Sequence, residues 1–154
     1  MDIIPKPIGA IDKATITEHI CVAKIQKLGY NASIVHMKAA DIIMDVNGTL
    51  LRVQVKSSQL KTTRDGNRWK TGYHFSTSHG SKVKTPMTSK DCDILAFVAF
   101  EIERIFFLHI NMHNQTALTK RLSKNFFNDS KTNTDVEENS LTAALKVHKE
   151  MLNA

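Results

Sequence analysis

The chain has 154 residues, 42% of them hydrophobic, and 21 Lys and Arg against 15 Asp and Glu give it a formal charge of +6. That length supports one domain with its own core, the composition excludes global disorder, and a small basic protein points to a polyanionic partner, nucleic acid ahead of an acidic membrane surface. Two distant cysteines, Cys21 and Cys92, exclude a disulfide scaffold and a zinc finger, while the absence of a long apolar run or a signal-like N-terminus makes a soluble, cytoplasmic protein the expectation.

Pro5 and Pro7 make Met1 to Ile8 an extended lead-in, free to pack, fray or lie on a partner subunit or on DNA. Thr15 to Leu28 is predicted as a helix. Thr15 and Glu18 fit the S/T-x-x-E capping box, and Gly29 is a natural stop. Ile16, Ile20 and Ala23 share one face and Val22 and Ile25 lie on the far side, so cover on more than one side is expected. Glu18 therefore has two readings, a reciprocal cap or a catalytic carboxylate.

Tyr30 to Val35 reads as a short strand. From Asp41 to Ser58 (DIIMDVNGTLLRVQVKSS), two alternating runs flank Asn47-Gly48, the strongest short-range hairpin signal. With those two residues as the loop, Val46 lies opposite Thr49, Ile42 opposite Val53 and Asp41 opposite Gln54. One face then carries Ala40, Ile42, Met44, Leu51, Val53 and Val55, all apolar. The other carries Asp41, Ile43, Asp45, Leu50, Arg52, Gln54 and Lys56. Cross-strand partners such as Asp41 and Gln54 have Cβ atoms roughly 5 Å apart, and Lys56 is a same-face neighbour. A carboxylate, an amide oxygen and an ammonium thus converge at the hairpin's open end. Oxygen donors suit Mg²⁺, and a lysine beside them can orient a water or offset phosphate charge. The same residues also make an ordinary solvated face.

Gln59 to Asn67 is polar and basic, with a turn at Arg64 to Asn67. Arg68 to Phe75 (RWKTGYHF) reads as a strand whose interleaved basic and aromatic residues suit either nucleic acid or one packed and one solvated face. Ser76 to Lys90 reads as a long basic loop of the kind that carries function. Asp91 to Phe100 and Arg104 to Ile110 lead into near-continuous apolar strands joined by a turn at Glu101 to Glu103. Asp91 and Asp93 sit at the mouth of the first. Thr116 to Lys124 is predicted as a short basic helix, Asn125 to Glu138 as a loose segment, and Leu141 to Leu152 as an amphipathic helix built on Leu141, Leu145, His148 and Leu152.

The seven histidines are scattered, and neither HExxH, a Gly-rich phosphate loop nor a G-x-S-x-G elbow occurs. The cluster of Asp41, Gln54 and Lys56 is the best remaining chemistry. An acidic residue on the first helix, Asp at the start of a hairpin and Gln-x-Lys on its second strand resembles the PD-(D/E)XK nuclease core over residues 15–110. Glu18, Asp41, Gln54 and Lys56 take the motif positions. Ala40 stands where many members have proline, and Gln54 replaces the second carboxylate. A Gln thirteen residues after the Asp, with Lys two further on, is similar to the cyanobacterial tRNA-intron homing endonucleases of this superfamily.

The resemblance implies an α/β, restriction-endonuclease-like fold: a central mixed sheet of five or six strands flanked by helices. One nuclease domain would span 1–154, its core at about 15–110 and a C-terminal helical extension at about 111–154. It implies a site-specific, double-stranded DNA endonuclease using Mg²⁺, with Mn²⁺ as a substitute, leaving a 3′-hydroxyl and a 5′-phosphate. Asp41, Gln54 and Glu18 would hold the metal, and Lys56 would position the attacking water. Lys61, Arg64, Arg68, Lys70, Lys82, Lys84 and Lys90 would bind DNA phosphates. A homo-oligomer, dimer or tetramer, is implied as well. The rival readings are a Holliday-junction or repair nuclease on the same core, and a DNA-binding module that has lost catalysis through Gln54.

Overall fold

The computed structural model describes residues 4–38, 40–80, 82–127 and 136–154. Residues 4–9 form neither helix nor strand, in keeping with Pro5 and Pro7. The first helix, α1 (Ala10–Lys27), then begins after Gly9, earlier than the capping box places it. Thr15 is inside the helix and its Oγ1 donates to the Ile11 carbonyl at 3.2 Å. The capping reading of Glu18 is therefore wrong, because that residue lies beyond the orphan amides of the first turn. The buried stripe is also rotated from the expected one: Thr17, Cys21 and Ile25 face the sheet, while Ile16 and Ala23 are exposed. Small Thr17 and Cys21 let the helix settle on that line, and the helix is covered on one side.

After β1 (Asn31–Ile34), the hairpin of β2 (Ile42–Val46) and β3 (Thr49–Ser58) forms in the expected register, with Ile42 opposite Val53 and Met44 opposite Leu51. Asn47 and Gly48 take positive φ, 51° and 89°, as a two-residue primed turn requires. Ala40, Ile42, Met44, Leu51 and Val53 are buried. A slip of one residue would turn them all outward, so burial fixes the register.

β3 then runs into a crossover that holds a second sheet. β4 (Lys61–Asp65) and β5 (Arg68–Ser76) form a hairpin whose turn is Gly66-Asn67 alone. The expected four-residue turn is shorter because Arg64 and Asp65 continue the ladder. The segment read as a plain loop contains a small ribbon, β6 (Ser78–His79) with β7 (Thr85–Pro86). β8 (Ile94–Ala99), buried throughout, pairs parallel to β3, and β9 (Arg104–His109) returns antiparallel after a turn in which Glu103 has φ 51°.

The 116–124 segment is a correction: β10 (Thr119–Ser123) is a strand paired with β5, not a helix. Gly72 of β5 explains the fit, since a Cβ there would lie 2.7 Å from the Leu122 carbonyl oxygen. Leu122 is buried in the core below. The last helix, α2 (Val136–Leu152), begins earlier than predicted, and Met151 and Leu152 are exposed. The expected loose segment falls largely on 128–135, outside the described residues.

The result is a five-stranded mixed sheet, β1-β2-β3-β8-β9, and a three-stranded sheet, β10-β5-β4. Cys21 and Ile25 of α1 and Leu141 and Ala144 of α2 pack with one face of the larger sheet. Tyr73, Phe75 and Leu122 of the smaller sheet pack with Leu95, Phe97 and Leu108 on its other face. Glu137, buried at the start of α2, ties the helix layer to the sheet through Lys24 and Arg104, each 3.3 Å away. Gly72→Ala should destabilise the fold by roughly 1–3 kcal/mol by forcing β5 and β10 apart; chemical denaturation measures it, and an unchanged midpoint would show that the contact yields freely.

Candidate active site

The site lies where β2 leaves β3. The Asp41 N–H donates to the Val53 carbonyl at 3.0 Å, and the Asp41 carbonyl accepts from the Val35 N–H at 2.9 Å. There the β2 chain turns away. The next β3 amide on that edge, Val55 N–H, donates to Asp41 Oδ2 at 2.8 Å. A strand amide that lost its ladder partner thus fixes the carboxylate.

A pocket of about 220 Å³ opens beside it, lined by Ala14, Thr17 and Glu18 of α1 and by Asp41, Gln54, Val55 and Ser57. The structure therefore brings together Glu18, Asp41 and Gln54, three of the four residues read from the motif. Lys56 is adjacent and does not line the pocket. Its Nζ donates to the Ser78 carbonyl at 3.3 Å, on the crossover side of β3. Two pocket hydroxyls escaped the sequence reading: Thr17 Oγ1 donates to the Lys13 carbonyl at 2.6 Å and lies 3.3 Å from Ser57 Oγ. Nothing in the spacing of Thr17 marks it; Ser57 is flagged only by following Lys56.

Burial pushes the Asp41 carboxyl above its ordinary range, against the Val55 amide and the Lys56 ammonium, which pull it down. Burial and then the Asp41 charge push Glu18 up as well. Burial pulls Lys56 down, opposed by Asp41 and helped by Lys84. Two carboxyls that repel each other at the mouth of a shared pocket suit a cation between them, and two carboxylates with an amide are a hard-cation donor set. Among the described residues no group of three His, Cys, Asp or Glu side chains is placed to hold a metal.

The other acidic candidates are structural. The Asp93 carboxylate accepts the Arg52 backbone N–H at 2.8 Å and, from the guanidinium, Nη2 at 3.2 Å and Nε at 3.3 Å. Against the upward push of burial, Arg52 holds Asp93 below the usual carboxylate range. Asp91 accepts the Thr88 N–H at 2.9 Å and lies 3.4 Å from His79 Nε2. His109 closes β9, with its Nε2 3.1 Å from His148 Nδ1 of α2.

The basic candidates fall in two places. Lys61, Arg64, Arg68 and Lys70 lie on the β4–β5 hairpin, away from the pocket. Lys82 and Lys84 lie between β6 and β7, and Lys90 precedes β8; all three are exposed. Lys84 Nζ donates to the Gly80 carbonyl at 2.9 Å, and its charge reaches Lys56.

A mixed sheet flanked by helices, carrying an Asp and a Gln-x-Lys on one hairpin, defines a restriction-endonuclease-like nuclease core. The chain belongs to the PD-(D/E)XK endonuclease family, whose model matches residues 10–141. Its fold is similar to that of a bacterial homing endonuclease, I-Ssp6803I, with a TM-score of 0.64 and 17% identity over 94% of this chain and 97% of that chain. No curated protein matches the sequence.

A carboxyl raised above its unfolded value makes the folded state bind more protons. Stability then falls as pH rises through the carboxylate range, and the penalty is complete above the folded value. Asp41→Asn retains an oxygen for the Val55 amide and removes the charge. It should melt above wild type at pH 7, with the gap closing as pH drops below the ordinary carboxyl range; thermal melts at both pH values check the sign.

Proposed function

We propose that this chain is a site-specific, divalent-metal-dependent endonuclease of double-stranded DNA. The observation that carries the reading is the convergence of Glu18, Asp41 and Gln54 on one pocket, with Lys56 beside it on the same strand. The family supports nuclease chemistry, and the likeness in fold to a bacterial homing endonuclease supports a defined DNA site as the target. The formal charge of +6 supports a polyanionic substrate.

Asp41 and Glu18 would hold the cation, with the Gln54 amide oxygen as a weaker third donor. When bound, Mg²⁺ supplies Lewis-acid polarisation of the scissile phosphate and offsets charge on the leaving oxygen. Lys56, with its ammonium disfavoured by burial, orients the attacking water and can exchange a proton with it. The Ser78 carbonyl positions that amine. Lys84 and Lys82 extend positive charge from Lys56 along the crossover, where a phosphate backbone would lie. One pocket cuts one strand, so a double-strand break takes two copies, and closed symmetry is the usual arrangement.

The test is a cleavage selection on randomised duplex DNA, with Mg²⁺ and with EDTA, on wild type and Lys56→Ala. Metal-dependent cuts at one enriched motif, reduced roughly 10²- to 10⁴-fold in the variant, are expected. Uncut duplex beside cleavage of four-way junctions of any sequence, offered in parallel, would instead place the chain among junction nucleases, and duplex retained on a filter with neither substrate cut would make it a binding module. Gln54→Glu adds a carboxylate to the donor set. It should lower the Mg²⁺ concentration needed for half-maximal cleavage, read from a metal titration; a higher requirement would remove Gln54 from the donor set.

A further inference from the structure

Trp69 is the single tryptophan of the chain, and it is 69% exposed. It sits on β5 four residues before Tyr73, on the face shared by Tyr73 and Phe75. Those two rings are 3% and 1% exposed because they pack beneath the larger sheet. At Trp69 the strand has run past that cover, so the face that is core at one end of β5 is open at the other. An indole can bury about 150–250 Å², so this position gives up a large hydrophobic gain that folding could have used.

Its neighbours indicate what takes the place of a core. Arg64 is the cross-strand partner of Trp69, and Thr62 and Thr71 pair beside them with their hydroxyls 2.9 Å apart. Arg64 Nε donates to the Gly66 carbonyl at 2.9 Å, bracing the turn. Residues 61–70 carry Lys61, Arg64, Arg68 and Lys70 against one carboxylate, Asp65. An apolar protein patch would not be matched by that charge. A polyanion with flat aromatic faces would, and duplex DNA is one. A two-stranded ribbon also fits the major groove, which is about 12 Å wide.

The placement relative to the pocket is set by the chain. β3 carries Gln54 and Lys56 and leads directly into β4. Asp65, the last residue of β4, follows Lys56 by nine steps along the chain, which limits it to about 30 Å from that lysine. One turn of B-DNA rises about 34 Å.

We propose that the β4–β5 hairpin enters a groove of the DNA duplex and that Trp69 wedges against a base step there, within one helical turn of the cut phosphate, flanked by Arg64. This rests on the nuclease reading above and adds the residue that contacts bases. Wedging partly unstacks a step, so flexible pyrimidine–purine steps are the preferred sites.

The single tryptophan makes the test direct, because the protein's indole emission comes from Trp69 alone. Fluorescein-labelled duplexes are first enriched from a random pool by retention on the protein in EDTA. Binding is then followed by fluorescein anisotropy and by indole emission in the same titration. Emission should be quenched in step with the anisotropy. Trp69→Ala should melt as wild type does and bind these duplexes roughly 5- to 100-fold more weakly, while Trp69→Phe recovers part of the loss. Anisotropy that rises with emission unchanged overturns the proposal and leaves the nuclease reading standing. No rise in anisotropy overturns both. A Trp69→Ala protein that binds DNA normally but sediments as a smaller species would make the indole a subunit contact and overturns the proposal as well.

Discussion

The site depends on one backbone amide. β3 pairs with β2 on one edge as far as Val53 and with β8 on the other from Val53 to Ser58. Where β2 departs, the Val55 N–H faces that edge without a strand carbonyl, and a buried amide left unsatisfied costs roughly 1–3 kcal/mol. The Asp41 carboxylate supplies the acceptor. The divergence of two strands therefore creates the pocket and also fixes the acidic group within it. Asp41 commits Oδ2 to the backbone.

Structural carboxyls and those proposed to hold the cation differ in the direction in which their surroundings push them. Asp93 is surrounded by Arg52 donors and is held below its ordinary range. Asp41 and Glu18 are pushed above theirs by burial, Glu18 also by its neighbour's charge. The first pattern locks the entrance of β8 against β3. The second is unfavourable for folding and is the form expected of groups kept for a ligand. Glu137, paired with Lys24 and Arg104, holds α1, α2 and β9 together.

What was legible in the sequence was what local rules decide. Asn47-Gly48 and the alternation around it fixed the β2–β3 register, and that register already placed Asp41, Gln54 and Lys56 together. The apolar run of β8 marked a central strand, whereas β9, read the same way, is an edge strand of the sheet and owes its apolar run to the cover of α2. What escaped depends on distant partners. Thr15 mimics a cap, yet good helix formers before it carry α1 back to Gly9. TALTKRLSK has the composition of a short helix, but the open edge of β5 and the bare backbone at Gly72 draw it into a strand. Thr17 and Ser78 reach the site only once α1 and the crossover have docked, and no spacing in the chain announces that.

The crossover has a consequence of its own. A parallel pair such as β3 and β8 needs a long connection, commonly a helix; here the connection is largely sheet, ending in a free ribbon. Among the described residues, none of the β4–β5 hairpin lines the pocket of Glu18, Asp41 and Gln54, so the hairpin's length and residues can change while the pocket stays as it is. Such changes are quantised. Adding two residues to each strand keeps Trp69 and Arg64 on their present face, whereas adding one turns every side chain beyond it to the opposite side. Any lengthening of this ribbon that keeps its faces as they are would therefore proceed in even steps, a grammar imposed by the pleat.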